Sequence, residues 1–364
     1  MHKTAASPLV LTYTALIVYA SLYPFIEWRD QGIEPWAFLM APVPRYWTGF
    51  DVAINVVGYA PLGGLLALVA LRTGRGSVAL WGPIVLACLL SLCMETLQNY
   101  LPGRVPSRED WLLNTAGALL GAAVAVLLER WGAIDHWSRF RARWFVPQAR
   151  GGLTLLALWP TALLFPAAVP FGLGQVIERL EWALAEWLDD TPLLEWIPVR
   201  AAELQPLLPG SQVICVMLGL LIPCLLGSCV IRSRWRRALF VPVCVGVGVA
   251  VTALSAALSW GPSHAWAWLD LPAQIGIVAA FVSGIAMALA PWRASATLLL
   301  LALGLHLNLL NQAPESAYFA QTLHEWEQGR FIRFHGLAQW LGWVWPYVAL
   351  VYVMTQIGRQ NAKT

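Results

Sequence analysis

About ten apolar stretches, each close to the length of a membrane-spanning helix, run through this sequence. A helix needs roughly 20 mostly apolar residues to cross a bilayer. Only 12% of the residues are charged, too few to cover a large water-facing surface. We therefore predict an all-α polytopic membrane bundle of about ten transmembrane helices, or eight or nine without the weakest ones. The apolar stretches are 8–26, 51–71, 78–99, 111–130, 151–170, 211–231, 238–259, 273–292, 295–312 and 337–357.

Basic residues collect in alternate connections between these stretches. With the N-terminus in the cytoplasm, the cytoplasmic connections hold most of the 23 Lys and Arg, including the runs at 139–150 and 232–237. Cytoplasmic loops of membrane proteins are enriched in Lys and Arg. We therefore predict a multi-pass protein of the bacterial inner (cytoplasmic) membrane with both termini in the cytoplasm. Membrane lipids are the expected partners of the basic runs, and no nucleic-acid partner is predicted.

The spacing of the apolar stretches predicts two membrane domains. Residues 1–131 form a four-helix domain, 132–150 a basic cytoplasmic linker, and 151–364 a six-helix domain. The second domain carries two long extracytoplasmic segments, 171–210 and 313–336. In the first segment, apolar residues recur on one face of a predicted helix, which would lie on the outer bilayer surface or cover the protein as a lid. These residues are Ile177, Leu180, Leu184, Trp187 and Leu188.

The six cysteines all lie in apolar stretches. We interpret them as small packing residues of the helices. No Cys or His stands beside another at the spacing of metal ligands. We therefore predict neither a metal site nor a cofactor.

Carboxylate and amide side chains lie at the predicted outer ends of the second, third and fourth helices. Because members of a pair are three or four residues apart, each pair shares one helix face. We predict that the pairs line one polar pocket at the outer membrane surface, with Glu95 paired to Arg104 of the next connection. The pairs are Asp51 with Asn55, Glu95 with Gln98, and Asp110 with Asn114.

Each of these motifs also has a purely structural interpretation. Ser107 to Asp110 matches a capping box at the start of the fourth helix, and Asp51 could cap the second helix. Gly117 and Gly121 form a GxxxG step, which is typical of close helix packing. A separate polar group in 295–312, His306 with Asn308 and Asn311, is either a helix–helix hydrogen bond or a proton or ligand site.

The polar series of the first domain resembles the VanZ-like family over about residues 9–130. That family is named for an accessory teicoplanin-resistance protein, and the resemblance implies a four-helix membrane domain with its polar face outside. It implies no known reaction, and a role in antibiotic resistance is suggested by the resemblance alone. One position departs from the family, where His is expected in place of Asp51. The matching residues are Asp51, Asn55, Pro61-Leu62-Gly63, Ser91, Glu95, Gln98, Gly103-Arg104, Ser107, Asp110, Asn114, Gly117 and Gly121.

Three functions fit this pattern. The first is binding or shielding of an amphiphilic envelope component (a lipid, a lipid-linked glycan or a lipidated antibiotic) at the outer leaflet. The alternative is a membrane enzyme of cell-envelope or polysaccharide assembly, with Glu95 or Asp110 as general acid or base on a lipid-linked substrate. A transporter or flippase fits least, because the polar residues cluster on one side. The candidate ligand-binding residues are Asp51, Asn55, Glu95, Gln98, Arg104, Asp110 and Asn114.

Overall fold

The computed structural model confirms the predicted all-α fold. It describes residues 6–23, 25, 27–42, 49–188, 191, 204–314 and 332–361. Within these ranges the α-helices are α1 (Ala6–Leu22), α2 (Gly49–Arg72), α3 (Trp81–Gln98), α4 (Arg108–Arg130), α5 (Ala133–Trp144), α6 (Arg150–Ala162), α7 (Ile177–Trp187), α8 (Pro209–Val230), α9 (Arg234–Trp260), α10 (Leu271–Ala288), α11 (Trp292–Leu310) and α12 (Ile332–Asn361).

Eight of the described helices are long and apolar enough to cross a membrane, namely α2, α3, α4 and α8 to α12. The chain is therefore a multi-pass membrane protein. Two of the ten predicted spans correspond to shorter helices, since α1 has 17 residues and α6 has 13.

The prediction of one continuous helix over 151–170 is wrong. The helix α6 ends at Ala162, and residues 163–176 are non-helical. Pro166 and Pro170 lie in this stretch. A proline ring clashes with the preceding helical turn, and it also disfavours a helical conformation of the residue before it. Average hydropathy does not register that effect.

The chain divides into two compact units, residues 1–141 and 142–364. The segment predicted as a basic linker, 132–150, contains the helix α5. Each unit has its own clusters of buried apolar side chains.

In the first unit, α2 and α4 pack backbone against backbone. A Cβ atom on Gly117 would meet the backbone of Val56, and one on Gly121 would meet the backbone of Ala60. Gly63 of α2 faces the backbone of Ala118 in the same way. The close-packing interpretation of the GxxxG step is therefore confirmed.

The second unit is built around α8, whose membrane-spanning part is 78% buried. The non-helical segment 163–176 is folded into this unit, because Phe171 lies against Gly219 of α8 and Gly248 of α9. Phe171 is only 2% exposed. Non-helical backbone at membrane depth is tolerated where protein covers it or where it lines a cavity, and the burial of Phe171 meets the first condition.

The helix predicted in the first extracytoplasmic segment is confirmed as α7. It exposes Leu180, Leu184 and Trp187, while Leu188 is buried. Its position on a bilayer or over the protein stays a prediction. Residues 189–190, 192–203 and 315–331 lie outside the described part of the chain.

Candidate functional site

The ends of α2, α3 and α4 bring three predicted site residues together. Asn55 of α2 donates from Nδ2 to Oδ1 of Asp110 on α4, at 2.7 Å. Glu95 of α3 accepts a hydrogen bond at Oε2 from the backbone N–H of Ser107, at 2.8 Å. Ser107 is the residue that caps α4, so Glu95 lies at the N-terminus of the helix that carries Asp110. These contacts define an outer level formed by Asn55, Glu95 and Asp110.

One helical turn further along each helix lies a second, inner level. Asn114 of α4 donates from Nδ2 to Oγ of Ser91 on α3, at 3.0 Å. The Tyr59 hydroxyl of α2 lies near Ser91. All three side chains are buried. Because α2 and α4 run opposite to α3, the steps 55 to 59, 95 to 91 and 110 to 114 all lead the same way. We call the six residues of both levels the polar cluster.

The start of α4 explains how Asp110 becomes available to Asn55. Ser107 Oγ accepts a hydrogen bond from the Asp110 backbone N–H, at 3.3 Å, as a capping box requires. In such a box the side chain three residues on normally returns a bond to the cap N–H. Here Glu95 makes that bond from a neighbouring helix, so the Asp110 carboxylate can bind Asn55.

The polar cluster contains buried polar atoms without hydrogen-bond partners in the described part of the chain. The clear case is Oδ1 of Asn114, whereas the Tyr59 hydroxyl lies within reach of the Ser91 side chain. Glu95 is 3% exposed, and the Asp110 carboxylate acts on it by like-charge repulsion. Buried polar groups in proteins are nearly always hydrogen-bonded, to protein, water or ligand. The cluster therefore has capacity for further donors, and its two carboxylates favour hydroxyl, ammonium or amide groups.

Two predicted site residues bind the end of α1 instead. Arg104 donates from Nε to the carbonyl of Tyr23 at 3.2 Å and from Nη2 to the carbonyl of Ala20 at 3.0 Å. Gln98 donates from Nε2 to the carbonyl of Ser21, at 3.1 Å. A cation at a helix C-terminus bonds the free carbonyls and stabilises the helix dipole. The predicted pairing of Arg104 with Glu95 stays a prediction: no ion pair between them is among the described contacts, but the Arg104 charge does act on the Glu95 carboxylate.

Asp51 and Arg108 lie close in sequence to the polar cluster but are not members of it. Asp51 belongs to the first turn of α2, but its side chain lies outside the described part of the structure. Arg108 forms an ion pair with its neighbour Glu109, at 3.2 Å. This pair is local and partly exposed, and among the described contacts it reaches the polar cluster only indirectly, because Glu109 Oε2 also accepts from Ser107 Oγ.

Tyr59 and Ser91 were missed as site residues by the pairwise analysis. Tyr59 is four residues after Asn55, and Ser91 is four residues before Glu95. Both lie one helical turn from a predicted site residue, toward the middle of their helices. The predicted pairs include only carboxylate and amide side chains, so a tyrosine and a serine hydroxyl fall outside that pattern.

The polar group of α11 is a structural one. His306 is buried, with Nδ1 3.2 Å from the carbonyl oxygen of Cys215. Asn311 accepts at Oδ1 from the backbone N–H groups of Val176 and Ile177, both at 3.0 Å, and donates to the carbonyl of Gly174. The helix–helix hydrogen-bond interpretation is therefore confirmed for His306, whereas Asn311 bonds the non-helical segment that leads into α7. Asn308 is exposed.

Residues 5–129 match the VanZ/LLP1 family model. The predicted VanZ-like resemblance is thereby confirmed, and the polar cluster lies within the matched residues. The protein has a VanZ-like first unit in a multi-pass membrane chain, and the remaining residues are not matched by it. No curated protein and no solved structure matches the chain.

Proposed function

We propose that the VanZ-like unit binds the polar head of an amphiphilic envelope component at the outer leaflet of the bacterial inner membrane. The ligand is a lipid, a lipid-linked glycan or a lipidated antibiotic. Binding at that depth would hold or shield the head group while its acyl part stays in the bilayer. The candidate contacts are Asn55, Glu95, Asp110 and the inner residues Tyr59 and Asn114, with Asp51 at the start of the same helix.

The observation that carries this proposal is the arrangement of the polar cluster on three adjacent helices. A packing network would normally satisfy its buried polar atoms from within. Here Oδ1 of Asn114 keeps no partner in the described structure, and two carboxylates lie in the same cluster. Hydroxyls or an ammonium group of a bound head would complete these bonds.

The test compares the wild-type protein with a Glu95→Gln, Asp110→Asn double variant. Both substitutions keep side-chain shape and the carbonyl oxygens that accept from Ser107 and Asn55, so we expect the fold to persist. Native mass spectrometry of the detergent-purified proteins should show a defined lipid or lipid-linked species on wild type that the variant loses. An Arg108→Gln variant is the control, because its only described ion pair is local.

Only bulk phospholipid, in equal amounts on all three proteins, would contradict the proposal. The polar cluster would then be a helix-packing network. Thermal unfolding of each protein, followed by tryptophan fluorescence, separates loss of ligand from loss of fold.

A second candidate function is a membrane enzyme of envelope or polysaccharide assembly. The observation that favours it is a buried carboxylate, Glu95, beside a second carboxylate on Asp110. Such pairs suit general acid–base catalysis because their two environments differ. Incubation of the purified protein with its co-purified species would then yield a changed lipid product, which Glu95→Gln protein would not form.

A further inference from the structure

The second unit contains an open cavity of about 230 Å³ beside the non-helical segment 163–173. Its other walls are the end of α9, the start of α8 and the connection into α10. Ser255 of α9 donates from Oγ to the carbonyl of Leu164, at 2.7 Å, and so holds the segment over the cavity. This site lies outside the VanZ-like unit and is independent of the function proposed above.

The cavity has an aromatic wall. Phe165, Phe171, Trp260 and Trp268 line it, and Phe171 meets Trp268 edge-to-face with ring centroids 5.5 Å apart. Phe171 has a φ of 62°, a left-handed conformation that is costly for a side chain of this size. Residues held in such conformations cluster at functional sites, and here the strained residue positions the wall.

The polar groups of the cavity suit a neutral, hydroxyl-bearing ligand. The Thr252 Oγ1 atom is buried and has no hydrogen-bond partner among the described residues. Asp270 accepts at Oδ1 from the Ala273 N–H and at Oδ2 from Gln212 Nε2, both at 2.8 Å. Each carboxylate oxygen therefore has one internal partner and a lone pair left for a ligand hydroxyl.

Charge argues against a phosphate in this cavity. Among the described residues that line it there is no Lys, Arg or His, and Asp270 is the charged one. A sugar ring fits this combination, because its apolar face packs on Trp rings while its hydroxyls bond to carboxylate, amide and hydroxyl groups. Trp260 and Trp266 are exposed at the end of the apolar helix α9 and in the loop that follows, where Trp marks the boundary between hydrocarbon and head groups.

We propose that this cavity binds the glycosyl head group of a membrane lipid. The Trp268 face packs against the sugar ring, Asp270 and Gln212 bond its outer hydroxyls, and Thr252 bonds the deepest one. The acyl chains remain in the bilayer beside the exposed end of α9.

The test uses the full-length protein in a sugar-free amphipol and three lipids with the same acyl chains. These are monoglucosyl diacylglycerol, plain diacylglycerol and phosphatidylethanolamine. Native mass spectrometry should show preferential binding of the glucosyl lipid. Thr252→Val should weaken that binding about fivefold to tenfold, as expected for one lost hydrogen bond, and Trp268→Leu should weaken it more.

Thr154→Val is the matched control, because Thr154 lies in the same unit and its hydroxyl bonds the carbonyl of Arg150 in its own helix. Thr252→Val removes a buried hydroxyl that has no described partner, so its melting temperature should equal or exceed that of wild type. A binding loss without a stability loss separates a ligand contact from a structural one.

Equal binding of glucosyl lipid and diacylglycerol would overturn the proposal, as would unchanged binding by Thr252→Val. Preference for phosphatidylethanolamine would instead identify an amine site on the aromatic wall. Repeating the measurement with the Glu95→Gln, Asp110→Asn protein distinguishes the two proposals, since that variant should keep glucosyl-lipid binding in the second unit.

Discussion

Arg104 joins the α3–α4 connection to the end of α1. The residue is 9% exposed, and its guanidinium donates to the carbonyls of Ala20 and Tyr23. Hydrogen bonds from a charged donor are stronger than neutral ones, and α1 would keep unpaired carbonyls without them. We expect Arg104→Ala to lower the free energy of unfolding of the first unit by about 2 to 4 kcal/mol.

Thermal unfolding of the purified protein measures this loss, with Arg108→Ala as its control. Arg108 pairs only locally and its side chain is 37% exposed, so its substitution should change stability by less than about 0.5 kcal/mol. Equal melting of the Arg104→Ala and Arg108→Ala proteins would show that the α1 carbonyls do not depend on Arg104.

For single residues, the sequence predicted which side chains lie close together better than it predicted their hydrogen-bond partners. Asn55, Glu95 and Asp110 could be placed together because helix periodicity and short connections determine which faces adjoin. The partner of Arg104 could not, because it depends on how far α1 extends toward the α3–α4 connection. Opposite charge predicted Glu95 as the partner of Arg104, whereas the end of α1 offers Arg104 more than one backbone carbonyl as a hydrogen-bond acceptor.

The crossing of α2 and α4 leaves no room for a side chain at Gly121. A Cβ atom there would overlap the backbone of Ala60, and backbone cannot move aside as a flexible side chain can. We expect Gly121→Ala to destabilise the first unit by about 1 to 3 kcal/mol or more. Circular dichroism melting would detect it as a lower transition temperature.

Gly58→Ala in α2 is the matched control, since nothing lies within 4 Å of a Cβ atom added there. Alanine is the better helix former, so this variant should be unchanged or more stable by up to about 1 kcal/mol. If Gly121→Ala were as stable as Gly58→Ala, α2 and α4 would not be in contact as described.

Asn311 attaches the segment before α7 to the end of α11. Its side chain makes hydrogen bonds with the backbone of Gly174, Val176 and Ile177 and is 6% exposed. Asn311→Ala would leave these buried backbone groups unpaired, at a cost of about 1 to 3 kcal/mol for each. We expect faster hydrogen exchange over 174–180, measured by mass spectrometry of peptic peptides.

Asn308→Ala provides the comparison for that experiment. Asn308 lies on the same helix but is exposed, and its described partner is Gln312 at 3.4 Å. Exchange over 174–180 should match wild type in this variant. Equal protection in both variants would mean that other contacts hold the segment.

Element types were largely predictable, because eight long apolar helices follow directly from eight apolar stretches. The exception is 151–170, where the apolar composition is real but prolines end the helix after 13 residues. The cavity of the second unit was not predictable for the same reason. It depends on where a non-helical segment turns back among α8 and α9.

The sidedness of the whole molecule depends on that segment. As a helix, α6 rises about 20 Å, which is less than the roughly 30 Å of a hydrocarbon core. Residues 163–176 must therefore complete the passage if the basic residues before α6 and after α8 are both to lie in the cytoplasm. The predicted topology requires that passage within the second unit, because Arg150 at the start of α6 and Arg232 to Arg237 after α8 would otherwise lie on opposite sides.

Single cysteines in a background with the six native cysteines replaced test this prediction. Val105→Cys and Ser263→Cys, both at exposed positions, should react with a membrane-impermeant maleimide from the outer face of the inner membrane. Arg75→Cys should react only after that membrane is permeabilised. If Ser263→Cys also required permeabilisation while Val105→Cys did not, the topology predicted for the second unit would be wrong. The proposed glycosyl-lipid cavity at the end of α9 would then face the cytoplasmic leaflet.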